Sequence, residues 1–192
     1  MPPKQKFSKE DILNTAFQLI QEQGAEALNA RNIAKILKSS TQPIFSYYEN
    51  MADLKADLFK MVKEFHSRYL DKVEADENLL FNIGMAYIDF ALEEPNLFKM
   101  MFMSDGFSEV KLGDFFTNFE EGCNEHLENA ISKVFDLDHP GAYPMFVDIW
   151  LYAHGIASML AMNQLPTPRS EIEAMVRNMY GLLQQQMPGK KE

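Results

Sequence analysis

The sequence lacks the residues and patterns that build disulfide frameworks and membrane spans. Cys123 is the only cysteine, so an intramolecular disulfide and a cysteine-based metal cluster are excluded, which fits a reducing compartment. The longest apolar stretches, 79–92 and 145–162, are interrupted by polar residues and are too short to cross a bilayer. The N-terminus shows no apolar run with a small-residue cleavage site. We therefore expect a cytoplasmic protein that has no membrane partner.

Motifs typical of enzymes are missing as well. The sequence contains no phosphate-binding glycine loop, no nucleophile elbow and no His-Glu-x-x-His zinc motif. The histidines His66, His126, His139 and His154 show no metal-ligand spacing. We therefore expect no enzyme, with no catalytic residues, no metal site and no cofactor.

Positive charge is scarce in the chain as a whole but not in its first third. The formal net charge is -10, which by itself argues against nucleic-acid binding, because Lys and Arg neutralise phosphates. Residues 1–69, however, hold ten basic and eight acidic side chains for a net of +2, and the remainder carries -12. This asymmetry indicates two segments with different partners, of which the first permits DNA binding.

Helical periodicity is what the sequence does contain. No alternating strand pattern, internal repeat or low-complexity tract is present, which predicts an all-α fold of about nine helices. Capping residues predict helix starts at Ser8, Asn29 and Asn50, and Gly24 is expected to end the first helix.

The second half is predicted to contain longer helices. A helix is expected over roughly 108–135 and a loop over 136–144, where Pro and Gly interrupt the pattern. Two strongly apolar helices are expected at 145–163 and 170–186, separated by prolines.

Two short helices near the N-terminus are spaced like a helix-turn-helix. The second of them is predicted to start at Thr41 or Gln42, with Pro43 in its first turn. Ile44, Phe45 and Tyr48 are available to pack inward. Because many small helical proteins contain such a pair, the spacing alone leaves DNA binding and plain helix packing both open.

Longer stretches of the sequence resemble the TetR family of transcriptional regulators. Residues 12–24, ILNTAFQLIQEQG, resemble its first helix with the closing glycine, 29–34 its second helix, and 40–54 its recognition helix with the start of the connecting helix. The segments EPNLF at 94–98 and WLYAHG at 150–155 resemble the ligand-sensing domain named for its Trp-His-Gly signature.

The resemblance implies a division of labour along the chain. It predicts a helix-turn-helix DNA-binding domain of three helices at 1–50, a connecting helix at 51–75 and a helical ligand-sensing and dimerisation domain at 76–187. The tail at 188–192 is expected to be disordered.

The third helix is predicted to present a DNA-binding face. Gln42 has the amide geometry for two hydrogen bonds to adenine in the major groove. Thr41 and Ser46 can donate to bases or phosphates, and Tyr47 can donate its hydroxyl to a phosphate. Packing of the short helix is the alternative for Tyr47 and the preferred interpretation for Tyr48. The full predicted DNA-binding set is Arg31, Ser40, Thr41, Gln42, Pro43, Ser46, Tyr47, Tyr48 and Lys55.

Charges around this face modify the expected affinity. Arg31 and an N-terminal arm with Lys4, Lys6 and Lys9 would attract DNA of any sequence, the alternative being an ordinary solvated surface.

Three residues depart from the family pattern. Lys38 stands where the family favours glycine, Met51 where it usually has lysine, and Glu49 adds an acid beside the expected DNA face. These departures predict low or unusually salt-sensitive affinity, which Lys55 partly restores.

Aromatic residues and methionines of the second half are candidates for a ligand pocket. Such residues more often form plain core, and the resemblance implies that some of them line a pocket for a small apolar or amphipathic molecule. His154 follows Trp150 by one helical turn, and either contacts a ligand or, as we prefer, makes buried hydrogen bonds. The predicted ligand-binding set is Phe90, Phe98, Met101, Phe102, Phe107, Phe119, Trp150 and His154.

Taken together, these features predict a ligand-responsive regulator. The expected partners are a palindromic double-stranded DNA operator, a small apolar or amphipathic effector that releases the repressor, and a second copy of the chain bound through helices 145–163 and 170–186. The alternative is a helical small-molecule-binding protein with weak or lost DNA recognition.

Overall fold

The computed structural model describes residues 7–74, 76, 78–103 and 142–185, with only the backbone at 142–146 and at 184. These residues form a single 3-10 turn at Ala25–Ala27 and eight α-helices, which are α1 (Lys9–Gln23), α2 (Ala30–Ile36), α3 (Gln42–Phe45), α4 (Met51–Leu70), α5 (Leu79–Glu93), α6 (Pro95–Phe102), α7 (Ala142–Ala161) and α8 (Arg169–Gln184). No strand occurs within these ranges. The predicted all-α fold is confirmed.

Several predicted features lie outside the described residues. They are the helix over 108–135, the loop at 136–141, the tail at 188–192, and Lys4, Lys6, Phe107, Phe119, Cys123, His126 and His139. The end of the predicted loop is wrong, because α7 begins at Ala142 rather than at 145. Pro144 falls in the first turn of that helix, where a missing N–H costs no hydrogen bond.

The described residues fall into two compact units. Residues 7–65 and 96–103 belong to the first unit, and 66–95, except 75 and 77, with 142–185 belong to the second. Helix α4 therefore contributes to both units, and α6 belongs to the first although α5 belongs to the second. The domain boundaries predicted from the sequence, 1–50, 51–75 and 76–187, remain predictions, because this division into units does not test them.

The first unit is closed by side chains that satisfy helix ends. Ser8 and Asp11 form the capping box of α1, since the Asp11 N–H donates to Ser8 Oγ at 3.0 Å and the Ser8 N–H donates to Asp11 Oδ2 at 2.8 Å. Gly24 ends α1 with a φ of 83°. A Cβ at Gly24 would lie 3.4 Å from Asn96 Oδ1, and Asn96 Nδ2 donates to the Gln21 carbonyl at 3.0 Å. The positive φ of the turn is therefore what favours glycine, since a Cβ there would make only ordinary van der Waals contact with Asn96.

An apolar interior holds the first unit together. Its fully buried side chains come from α1 to α4 and from α6, and they are Ile12, Ala16, Leu19, Ile20, Ile33, Ile44, Leu54, Leu58, Val62, Leu97 and Phe98. On α4 the buried positions recur every fourth residue, so one stripe of the helix faces inward.

The second unit is built around α5, which is apolar on nearly all sides. Ten of its fifteen residues are buried, because α5 packs against both α7 and α8. A forked ion pair joins the start of α8 to α5: Arg169 Nε lies 2.8 Å from Asp89 Oδ1 and Nη2 lies 2.7 Å from Oδ2. This geometry fixes both the distance and the orientation of the two helices at that point.

Candidate nucleic-acid interface and ligand cavity

The turn between α2 and α3 has a well-defined geometry. The Asn32 N–H donates to Asn29 Oδ1 at 2.9 Å, so Asn29 caps α2 as predicted. At the other end, the Lys38 N–H donates to the Lys35 carbonyl and the Ser39 N–H to the Ala34 carbonyl, at 3.2 and 2.9 Å. This is the Schellman arrangement, which places Lys38 at a φ of 49°. The left-handed conformation explains why glycine is favoured at this position.

Helix α3 has one buried side and one exposed side. Ile44 and Tyr48 lie inward, at 0% and 4% exposure, whereas Gln42 and Ser46 are exposed. The expectation that Phe45 packs inward is wrong, because its side chain is 47% exposed. Phe45 follows Ile44 by about 100° around the helix axis, which turns its ring out of the core.

The two tyrosines after α3 have different surroundings. Tyr47 is half-buried and its hydroxyl donates to the Phe7 carbonyl at 3.1 Å. Tyr48 is a core residue, as the preferred interpretation has it, and its hydroxyl has no hydrogen-bond partner among the described residues. Burial raises the pKa of the Tyr48 hydroxyl. Tyr48 is therefore turned away from the exposed face of α3.

Lys9 lies inside this unit's network of contacts instead of extending from it. Its Nζ is 2.6 Å from Asp57 Oδ2 and 4.9 Å from the centre of the Tyr48 ring. The hydrogen bond from Lys9 is the main cause that lowers the pKa of Asp57. Lys9 thus joins α1 to α4.

The remaining residues of the predicted DNA-binding set are accessible. Ser40, Arg31 and Lys55 are exposed, and Thr41 and Pro43 are half-buried. Ser46 donates its hydroxyl to the Pro43 carbonyl at 2.7 Å, so its oxygen lone pairs face outward as acceptors. The acid Glu49 is exposed directly after Tyr48. Apart from Tyr48, the residues of the predicted set thus occupy exposed or half-buried positions on α2, on α3, in the turns that flank α3 and near the start of α4.

The second unit contains a partly buried cluster of polar side chains, of which Tyr87 is buried and Trp150, His154 and Ser158 are half-buried. Tyr87 Oη and His154 Nδ1 are joined by a hydrogen bond of 2.7 Å, and His154 Nε2 lies 3.3 Å from Ser158 Oγ. The Trp150 ring stacks on the His154 ring at 4.9 Å between centroids. Burial lowers the pKa of His154 and raises that of Tyr87 well above its ordinary value. Both groups are therefore neutral near pH 7, and His154 makes the hydrogen bonds that we preferred for it.

His66 is a buried residue that the sequence reading missed. Its side chain is 5% exposed and meets the Phe90 ring edge-on at 4.8 Å. Burial lowers its pKa from 6.5 to about 4. The sequence did contain a signal for this burial. His66 lies four residues after Val62 and four before Leu70, in a series that starts at Leu58 and is buried throughout on α4.

The predicted ligand-binding residues divide between the units. Phe98 and Phe102 are buried in the first unit with ring centroids 4.9 Å apart, and Met101 is buried on the same helix. Phe90 is fully buried in the second unit. The structure brings Trp150 and His154 together there. Phe107 and Phe119 lie outside the described residues.

The second unit contains two small cavities among its described residues, of which the larger borders the polar cluster through Tyr87 and Trp150. The larger, about 20 Å³, is lined by Leu70, Leu80, Ile83, Gly84, Tyr87, Ile149, Trp150 and Ala153. The smaller, about 10 Å³, is lined by Leu80, Phe81, Gly84, Ile149, Tyr152, Ala153, Val176, Met179 and Tyr180. Of the predicted ligand-binding residues described here, only Trp150 lines either cavity.

A comparison of the sequence with known families identifies the fold's relatives. The family model described as "Tetracyclin repressor-like, C-terminal domain" matches residues 80–183, more than half of the chain. The chain belongs to the TetR family. Because the residues that suggested this family lie mainly at 12–54, the match reaches the same conclusion from the other part of the sequence. The Trp-His-Gly subtype stays a prediction.

Solved structures of TetR regulators share the fold over nearly the whole chain. A TetR transcriptional regulator from Rhodococcus sp. RHA1 is 13% identical, with a TM-score of 0.59, over 94% of this chain and 98% of that one. A TetR family member from Streptomyces coelicolor A3 is 12% identical, with a TM-score of 0.61, over 92% and 98%. The multidrug binding protein EbrR, solved with ethidium, is 10% identical, with a TM-score of 0.61, over 93% and 99%.

No curated protein matches the sequence. None of the helices in the described part of the chain combines the length and hydropathy needed to span a membrane.

Proposed function

We propose that this TetR family member is a ligand-responsive repressor that binds a palindromic operator as a homodimer and leaves it when a small apolar or amphipathic effector binds. The observation that carries the proposal is the two-sided packing of α3. Ile44 anchors the inner side at 0% exposure, and Gln42, Phe45 and Ser46 are exposed on the other. An amide and an aromatic ring held outward on a short, well-anchored helix suit contact with base edges.

The side chains have distinct roles in this proposal. Gln42 forms two hydrogen bonds to adenine, and the exposed Phe45 ring contacts a thymine methyl group, which is the apolar feature of the major groove. Arg31 and Lys55 neutralise phosphates, and Ser40, Thr41, Pro43, Ser46 and Tyr47 contact the backbone or bases. Tyr48 supports α3 from beneath and does not contact DNA.

Helices α7 and α8 form the dimer interface in this proposal. A single helix-turn-helix reads few base pairs, so two copies related by a two-fold axis are needed for a palindromic site. Both helices expose large apolar side chains, which are Leu151, Met159, Met175 and Leu182. Burying these side chains between two copies removes apolar surface that a monomer would leave in water.

Helix α4 transmits the effector signal. Its residues up to Phe65 belong to the first unit, and Leu70 at its end lines the larger cavity of the second. A ligand in that cavity contacts the end of a helix whose start follows the DNA-binding face. The coupling equals the ligand's difference in affinity between the DNA-binding conformation and the released one.

Binding to the DNA that flanks the chain's own gene tests the proposal. Fluorescence anisotropy over a salt series should show sequence-specific binding that weakens steeply as salt rises. Gln42→Ala should weaken it by about tenfold or more, and Tyr47→Phe by less, because the single proton of that hydroxyl is already donated to the Phe7 carbonyl. Gln23→Ala, at an exposed glutamine at the end of α1, is the matched control and should bind like the wild type.

Weak binding that is equal for all sequences at every salt concentration would contradict the proposal. The exposed Glu49 beside α3 is the feature that favours such a result. The chain would then be a helical small-molecule-binding protein that has lost DNA recognition.

A further inference from the structure

Helix α3 is too short to fix its own orientation. It comprises only the four residues Gln42–Phe45, and a single helical turn is unfavourable without contacts from outside it. The buried Ile44 anchors it at one point. The chain then continues in turns, since the N–H groups of Tyr47 and Tyr48 both donate to the Ile44 carbonyl at 3.1 Å. The orientation of α3 therefore depends on what holds these two tyrosines.

The chain around the start of α1 contacts both tyrosines. Tyr47 donates its hydroxyl to the Phe7 carbonyl at 3.1 Å. The Lys9 ammonium lies 4.9 Å from the centre of the buried Tyr48 ring, within the range of a cation–π contact. The same ammonium donates to Asp57 Oδ2 on α4 at 2.6 Å. Lys9 thus contacts both the segment directly after α3 and the helix that follows it.

We propose that Lys9 is a positioning residue for DNA recognition: its contacts with Tyr48 and Asp57 hold the segment between α3 and α4, so that the exposed side chains of α3 reach base edges together. The inference rests on the proposed function, because it names a residue that sets how the DNA-binding face is oriented. It replaces the interpretation in which Lys9, together with Lys4 and Lys6, attracts DNA of any sequence.

The ion pair makes Lys9 a poor phosphate ligand. Its ammonium is already bonded to a carboxylate, and this hydrogen bond is the main cause that raises the pKa of Lys9. A phosphate would have to compete with Asp57 for the same charge. The two side chains are 50% and 28% exposed, and ion pairs of this kind add little to overall stability. Loss of the pair is therefore expected to affect the orientation of α3 more than the stability of the chain.

Two substitutions that break the pair test the proposal with opposite changes of charge. Lys9→Met removes a positive charge and Asp57→Asn a negative one. Fluorescence anisotropy measures binding to the DNA that flanks the chain's own gene and to a duplex of the same length and scrambled sequence. Both variants should lower the ratio of specific to nonspecific affinity by about fivefold, because two protomers each lose a partly exposed ion pair. The charge changes alone would move DNA affinity in opposite directions.

Lys60→Met is the matched control. Lys60 also pairs with Asp57, at 3.5 Å, but this pair joins two residues of α4 and does not involve α1. Its removal takes away the same charge and should leave the specificity ratio unchanged. Lys9→Arg retains the charge for both contacts and should keep most of the wild-type ratio. Wild-type specificity in Asp57→Asn, or equal losses in Lys60→Met and Lys9→Met, overturns the proposal.

The salt dependence separates positioning from phosphate contact. A lysine bound to a phosphate displaces counterions, so its loss lowers the slope of log affinity against log salt by about one. Lys9→Met should instead leave the slope of specific binding unchanged. A slope lowered by about one per protomer, with specific and nonspecific affinity weakened alike, would show that Lys9 contacts phosphate and would overturn the proposal.

Hydrogen exchange in the DNA-free chain tests the same contacts without an operator. The Tyr48 amide, which is hydrogen-bonded just after α3, should exchange about fivefold faster in Lys9→Met and in Asp57→Asn. The Leu37 amide at the end of α2 is the reference and should exchange as in the wild type. Unchanged exchange at Tyr48 overturns the proposal even if the chain binds its operator. Faster exchange in a chain that binds no operator would overturn the proposed function and show that Lys9 holds α3 without serving DNA recognition.

Discussion

In the first unit, polar side chains such as Ser8, Asn29 and Ser46 cap helices or lie near the surface, and the buried Thr15 hydroxyl donates to the Asp11 carbonyl of its own helix. In the second unit, Tyr87 and His154 turn inward and bond to each other. Buried polar groups are costly unless they are satisfied, so their placement distinguishes the two interiors. The interior of the first unit is chiefly hydrocarbon, with the hydroxyls of Tyr48 and Thr15 inside it, whereas the second unit holds an oriented pair of polar side chains.

The largest expected effect concerns the interior of the second unit. Phe90→Ala should lower the free energy of unfolding by about 3–5 kcal/mol, because the fully buried ring leaves a cavity between His66 and Tyr69. Urea denaturation monitored by Trp150 fluorescence measures the loss. Leu92→Ala, at a 39% exposed position of the same helix, is the control and should change stability by less than about 1 kcal/mol. Similar losses in the two variants would show that Phe90 is not a core residue.

The second prediction uses the buried titratable group on α4. Burial lowers the pKa of His66 to about 4 from 6.5, so between these values the unfolded chain binds a proton that the folded chain does not. The free energy of unfolding should therefore fall as the pH is lowered through this window, with His66 contributing roughly 3 kcal/mol in total.

His66→Phe isolates this contribution, because it keeps a ring against Phe90 and removes the titration. Thermal melts at pH 7 and pH 4.5 should show a smaller drop in melting temperature for the variant than for the wild type. The remaining drop comes in part from His154, whose pKa burial also lowers. An identical drop in both proteins would show that His66 does not contribute to the pH dependence of stability.

The third prediction concerns Phe45 on the exposed side of α3. Phe45→Ala should weaken operator binding by roughly tenfold, about 1.4 kcal/mol, while the free energy of unfolding stays within about 0.5 kcal/mol of the wild type. Replacing thymine by uracil in the operator removes the methyl group and should weaken the wild type but not Phe45→Ala. Anisotropy titrations measure both. If the variant is less stable but binds normally, Phe45 supports the fold instead of contacting bases.

The smallest effect compares the left-handed residues that end a helix in each unit. Lys38 after α2 has a φ of 49° and Asn163 after α7 a φ of 55°. Asparagine tolerates this conformation better than lysine does, so Lys38→Gly should gain about 1 kcal/mol of stability and Asn163→Gly only a few tenths. Lys35→Gly, inside α2, is the reverse control and should lose about 1 kcal/mol. Equal gains at both positions would contradict the strain assigned to Lys38.

The sequence predicted the helices well because capping and periodicity are local. Ser8, Asn29 and Gly24 end or begin helices as expected, since each side chain or its absence acts on the adjacent backbone. The family could be predicted for the same reason, as its signature in 12–54 is made of these local signals. Phe45 was misplaced because a four-residue helix has too few positions to show which side is buried.

Features that depend on distant contacts could not be predicted in the same way. The pairing of Tyr87 with His154 joins residues 67 positions apart, and nothing adjacent to either residue signals it. The predicted ligand-binding set chose aromatic residues by type, whereas the cavities are lined chiefly by aliphatic side chains and by Gly84. A cavity forms where small residues such as Gly84 leave a gap between packed helices. The composition of a segment shows only which of its side chains are large.

The course of the chain through the two units limits how this protein can be recombined with its relatives. A gene fusion that exchanges everything before residue 66 would separate α1 from α6, and with it Asn96, which closes α1 at Gln21 beside Gly24. The transferred segment would also lack Phe98 of α6, which is buried in the first unit. Exchange of the first unit therefore requires three crossovers, one in α4 and one on each side of α6. In TetR family members whose chain also enters the first unit again after α5, the two units are expected to evolve together.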